Sequence, residues 1–99
     1  ISIGNLVLGG SGKTPTIEYL IRLLSYNYKV AVLSRGYGRK STGFILADTN
    51  SDASLIGDEP MQYFRKFKNI IVSVDSNRVR GINKLINLNL KPEVVLLDD

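Results

Sequence analysis

The residues with the most evident chemistry are Gly9-Gly10-Ser11-Gly12-Lys13-Thr14, entered from the apolar run Leu6-Val7-Leu8. Glycines at a strand-to-helix turn let backbone N–H groups converge on phosphate oxygens without side-chain obstruction. The N-terminus of the following helix adds positive potential. In such a loop Lys13 reaches the β- and γ-phosphates of a nucleotide, and the Thr14 hydroxyl ligates Mg²⁺. The strict pattern G-x-x-x-x-G-K-[ST] has glycine where Val7 stands, so this is a variant loop in which Gly9 and Gly10 make the tight turn. A metal at that loop also needs a carboxylate. Val94-Val95-Leu96-Leu97 runs into Asp98 and Asp99, the Walker B pattern of a buried strand with a carboxylate at its end, able to hold Mg²⁺ directly or through water. One of the pair is expected to bind metal and the other to orient water or Lys13; the sequence leaves open which.

Two further stretches carry charge at suggestive places. Arg35-Gly36-Tyr37-Gly38-Arg39-Lys40 follows a valine-rich apolar run, and its paired glycines and flanking cations read as an anion-binding loop. Gly57-Asp58-Glu59-Pro60 opens a helical pattern, with Asp58 in an N-cap position and Pro60 near the first turn.

The elements that must position these residues alternate. Ile17, Leu20, Ile21 and Leu24 recur at helical spacing after Pro15, and Lys29–Ser34 is a buried strand. Residues 44–47 form a short strand and residues 48–54 a polar surface loop. A helix through Met61, Phe64 and Phe67 leads to a strand over Asn69–Val74. Asp75-Ser76-Asn77 caps a last helix whose apolar face is Val79, Ile82, Leu85 and Ile86. Such alternation predicts an α/β fold, a parallel or mostly parallel sheet with helices on both faces, in the manner of P-loop NTPases.

Composition narrows the partners. The net charge of +4, from 13 Lys+Arg against 9 Asp+Glu, suits a phosphate-rich ligand or an anionic membrane surface. No nucleic-acid-binding signature is present. Zero cysteines exclude disulfides and thiolate metal sites. No apolar run approaches the roughly 18–20 residues of a membrane span. The 99 residues are expected to form one nucleotide-binding domain, truncated at both ends, since the chain opens inside one apolar strand and stops after another.

Taken together, Gly4-Asn5-Leu6, Gly9–Pro15, Val32-Leu33-Ser34-Arg35-Gly36-Tyr37-Gly38-Arg39, Gly57-Asp58-Glu59-Pro60, Asn77-Arg78-Val79 and Leu96-Leu97-Asp98-Asp99 resemble the tetraacyldisaccharide 4′-kinase family, in the family's order and over essentially the whole chain. The resemblance implies an ATP-dependent kinase that phosphorylates a lipid A disaccharide precursor at the cytoplasmic face of the bacterial inner membrane. It makes Asp58 similar to the family's catalytic base, adds Glu59, Arg35, Arg39 and Arg78 as candidates for contacting phosphates or the acceptor, and accommodates Val7. It also places the base's histidine partner, most of the lipid-binding surface and a membrane-associating segment outside these residues. The alternative from the nucleotide loop alone is a P-loop ATPase or switch that acts on a protein partner and phosphorylates nothing small.

Overall fold

The computed structural model describes residues 6–9 and 14–98, with side chains for 7–8 and 16–98. Its elements run β1 (Leu6–Gly9), α1 (Thr14–Leu24), β2 (Val30–Ser34), β3 (Ile45–Leu46), α2 (Ala53–Ile56), α3 (Asp58–Lys66), β4 (Ile71–Val74), α4 (Arg78–Ile86) and β5 (Val94–Asp98). The sheet order among the described residues is β1-β5-β2-β4-β3. Every pairing is parallel except that of β3, which meets β4 antiparallel.

Strands buried on both faces need apolar residues at successive positions. β2 meets that demand with Val30 and Val32 in a core beside Ile17 and Ile21 of α1 and Tyr63 of α3, and Ala31 and Leu33 in a core beside Leu85 of α4. The expected α/β layering is thus realised, with α1 and α3 on one face and α4 on the other. A third cluster, Ile56, Met61 and Val74, packs the short α2 and the start of α3 against β4.

Three local expectations are corrected. Residues 48–54 are not loop throughout: Ala53 begins α2, and Asp52 caps it by accepting from the Leu55 N–H at 2.9 Å. Val79 is 69% exposed. Helix α4 instead turns Gly81 and Leu85 inward, and a Cβ on Gly81 would stand 2.8 Å from the Leu33 side chain, so the helix lies too close for a larger residue there. Asp58 does not cap α3. The cap residue is Gly57, and Asp58 is the first residue of the helix. The Asn77 cap is as expected, its side chain accepting from the Arg80 N–H at 3.0 Å.

Candidate functional site

Parallel pairing sets which residues share an edge. Gly9 is in register with Leu97, Ser34 with Asp98, and Ser34 also with Val74. The carboxyl ends of β1, β5, β2 and β4 therefore come out side by side, and with them the start of the glycine loop, Asp98, the basic loop and Asp75. Ligands of open α/β sheets bind at this edge.

A cleft opens there, lined by Ser34, Arg35, Tyr37, Asp58, Glu59 and Asp98 among others. Asp98 is 6% exposed, and two hydroxyls donate to its Oδ2: Tyr63 at 3.0 Å and Ser34 at 3.4 Å. Burial pushes the Asp98 carboxyl above the ordinary carboxylate range; the Tyr63 hydrogen bond opposes it, the Glu59 charge adds to it, and the Ser34 hydroxyl opposes it. Asp58 and Glu59 are exposed in the first turn of α3. Carboxylates there also meet the positive end of the helix dipole.

Two glycines fit this helix start to the basic loop. Gly36 and Gly57 have φ of +74° and +96°, a region side chains other than glycine's rarely adopt. A Cβ on Gly57 would lie 3.3 Å from the Gly36 carbonyl carbon, and one on Gly36 would lie 2.6 Å from Arg39 Cδ. The chain thus uses glycine at both positions to bring the backbone before Asp58 against the backbone after Arg35.

Arg35 also borders a neighbouring recess, together with Ser76 and Arg78 from the start of α4. Asp75 forms its floor, 1% exposed. Arg80 clamps that carboxylate with two bonds, Nε to Oδ2 at 2.8 Å and Nη2 to Oδ1 at 2.7 Å, and the Asn77 N–H donates to Oδ1 at 2.9 Å. The Arg80 hydrogen bond is the main cause holding the Asp75 carboxyl below its usual range, against the cost of burial. The Asp75 N–H donates to the Ser34 carbonyl at 2.9 Å, tying the ends of β4 and β2 together.

Of the residues singled out in the sequence, Asp58, Glu59, Arg35 and Asp98 share one cleft, and Arg78 lies in the adjoining recess with Arg35. Arg39 points elsewhere: its guanidinium donates to Gly43 O at 2.8 Å and Ser41 Oγ at 3.3 Å, inside its own loop. Gly10, Ser11, Gly12, Lys13 and Asp99 lie outside the described residues; Gly9 and Thr14 are described only as backbone, in β1 and α1. Asp75 reads in the sequence only as part of a helix cap, and Ser34 and Tyr63 carry no functional signal of their own. An aspartate ending an apolar strand, as Asp75 does, is the one signal that could have drawn attention; Tyr63 reads as an ordinary core aromatic.

A mostly parallel sheet layered by helices, with a cleft at its carboxyl edge, has the architecture of the P-loop kinase class, as its solved structural neighbour does. Within it, the chain belongs to the tetraacyldisaccharide-1-P 4′-kinase family, whose model matches residues 1–99. It is 61% identical over 99 residues to the tetraacyldisaccharide 4′-kinase of Flavobacterium johnsoniae and 56% identical over 101 residues to that of Parabacteroides distasonis. All of this chain is covered in both matches, against 29% and 27% of those relatives. The chain therefore spans under a third of the length of the curated relatives it matches. Among solved structures, LpxK from Aquifex aeolicus in complex with ATP superposes with a TM-score of 0.80 at 32% identity, over 98% of this chain and 34% of that one. Membership in this family does not favour the alternative of a nucleotide switch.

Proposed function

We propose that the whole protein is an ATP-dependent kinase that phosphorylates the 4′-hydroxyl of tetraacyldisaccharide 1-phosphate, a lipid A precursor, and that this chain carries the nucleotide-phosphate end of its site. The observation that carries the reading furthest is the cleft shared by Asp58 and Asp98 at the carboxyl edge of the sheet. Family membership and the ATP complex of the Aquifex aeolicus relative support it.

In this reading Asp58 accepts the proton of the sugar hydroxyl as its oxygen attacks the γ-phosphorus and the bond to the β-phosphate oxygen breaks. Lys13 neutralises the β- and γ-phosphates. Arg35, Arg78 and Glu59 would contact phosphate or acceptor, a reading supported by their position around the cleft and its adjoining recess, whereas Arg39 serves the shape of the loop.

Asp98, with Thr14 and Asp99 from the sequence, would hold Mg²⁺. No group of three or more His, Asp or Glu among the described residues forms a metal cage. One carboxylate at a phosphate loop is nevertheless the donor set that Mg²⁺ takes, since it keeps waters and phosphate oxygens and needs few protein ligands. Bound there, Mg²⁺ supplies charge neutralisation on the transferring phosphoryl group.

We further place the enzyme on the cytoplasmic face of the bacterial inner membrane, where a lipid acceptor resides and a basic chain meets an anionic surface. Among the described residues no helix is long and apolar enough to cross a membrane. Transfer of label from γ-labelled ATP to tetraacyldisaccharide 1-phosphate by the full-length protein tests the reading. Label should move with the wild-type protein and not with Lys13→Ala; ATP hydrolysis without lipid labelling would contradict it.

A further inference from the structure

Tyr63 is fully buried, in one core cluster with Ile17, Ile21, Val72 and Leu96. Every other buried member of that cluster is aliphatic, so packing alone asks for a phenylalanine. The hydroxyl instead donates to Asp98 Oδ2 at 3.0 Å, and Ser34 Oγ approaches the same oxygen. Both donors fall on one carboxylate oxygen of a residue that lines the cleft. Among the described residues Oδ1 has no donor of its own.

Tyr63 also belongs to α3, the nine-residue helix that begins at Asp58. A helix is stiff over so short a span, so the Asp58 backbone and the Tyr63 ring move together. The ring is fixed by the core, and its hydroxyl fixes Asp98.

We infer that Tyr63 is a positioning residue: its hydroxyl pins one oxygen of Asp98, turns the other toward the cleft, and sets that carboxylate relative to the helix that presents Asp58. The inference rests on the proposed role of Asp98 toward Mg²⁺. Carboxylates that ligate metals are themselves held by hydrogen bonds, and losing such a partner typically costs about 10–100-fold in metal affinity or activity.

The test uses the full-length protein with Mn²⁺ as probe, read by electron paramagnetic resonance in the presence of a non-hydrolysable ATP analogue. Tyr63→Phe keeps the ring and removes only the hydroxyl; melting measured alongside puts each value on a per-folded-molecule basis. Mn²⁺ affinity should fall about 10-fold, at the lower end of that range. Affinity for the analogue without metal should be unchanged, and kcat should fall with little change in the KM for ATP. In an Asp98→Asn background the same substitution should have almost no further effect. If Asp98→Asn weakens Mn²⁺ binding and Tyr63→Phe does not, the role of Tyr63 is overturned and the metal assignment stands. Equal, additive losses in both backgrounds also overturn it, because the hydroxyl would then act other than through Asp98. Wild-type Mn²⁺ binding by Asp98→Asn would remove the metal assignment itself.

Discussion

A Cβ on Gly57 would stand 3.2 Å from the carbonyl oxygen of Tyr37, so the helix that starts at Asp58 is seated directly on the basic loop. Gly57→Ala should be harmful on two counts: φ is +96°, and the neighbouring atoms are backbone that cannot swing away. A stability loss of about 1–3 kcal/mol is expected. Turnover per folded molecule should drop as well, because the displaced segment carries Asp58. Denaturant melts and steady-state kinetics on the same preparation decide it; a substitution silent in both would show that the close approach constrains nothing.

Asp75 should govern acid stability. Its folded pKa lies below the ordinary 3.8, so its pairing with Arg80 stabilises the fold fully above that value and is lost as the pH falls through the lower folded one. Asp75→Asn should therefore lower stability at neutral pH and flatten the acid limb below about pH 4. Unfolding curves between pH 2 and 7 that run parallel for the two proteins would count against the pairing.

Asp98 should show the opposite sign. Its folded pKa is raised above 3.8, so the folded state holds the proton more tightly than the unfolded one, and stability declines as pH rises through that interval. Asp98→Asn, which can still accept from Tyr63, should be more stable than wild type at neutral pH while losing activity. This is the usual exchange of stability for function where a site buries a carboxylate. A variant both less stable and fully active would reverse the assignment.

The two loop arginines should separate cleanly. Arg39→Ala removes the bonds to Gly43 O and Ser41 Oγ and should destabilise the protein by about 1 kcal/mol or more. Arg35 is exposed and lines the cleft, so Arg35→Ala should leave stability within about 0.5 kcal/mol and raise the KM for ATP or acceptor. Equal melting losses with unchanged KM values would dissolve the distinction.

Much of this arrangement is legible in the residues. The apolar runs of β2 and β5 and the spacing of Ile17, Leu20, Ile21 and Leu24 declare their elements because burial on two faces, or on one stripe, leaves a direct periodic trace. Strand order leaves none, since pairing depends on contacts between distant segments. Val79 fits the helical period yet is exposed, because Gly81 lets α4 approach the sheet on a slightly different stripe. Asp58 looks like a cap from its neighbours, but the positive φ at Gly57 starts the helix one residue earlier. Tyr63 and Ser34 acquire meaning only when register sets Ser34 beside Asp98 and α3 lays its fifth step over the same carboxylate.

As the proposed base, Asp58 would act on the acceptor and not on the nucleotide. Single-turnover phosphorylation of tetraacyldisaccharide 1-phosphate by full-length Asp58→Asn, with ATP saturating, tests it most directly. The transfer step should slow by roughly 10²–10⁴, the scale on which general bases contribute, while the affinity for ATP stays at the wild-type value. A wild-type transfer rate, or a loss confined to ATP binding, would contradict the account.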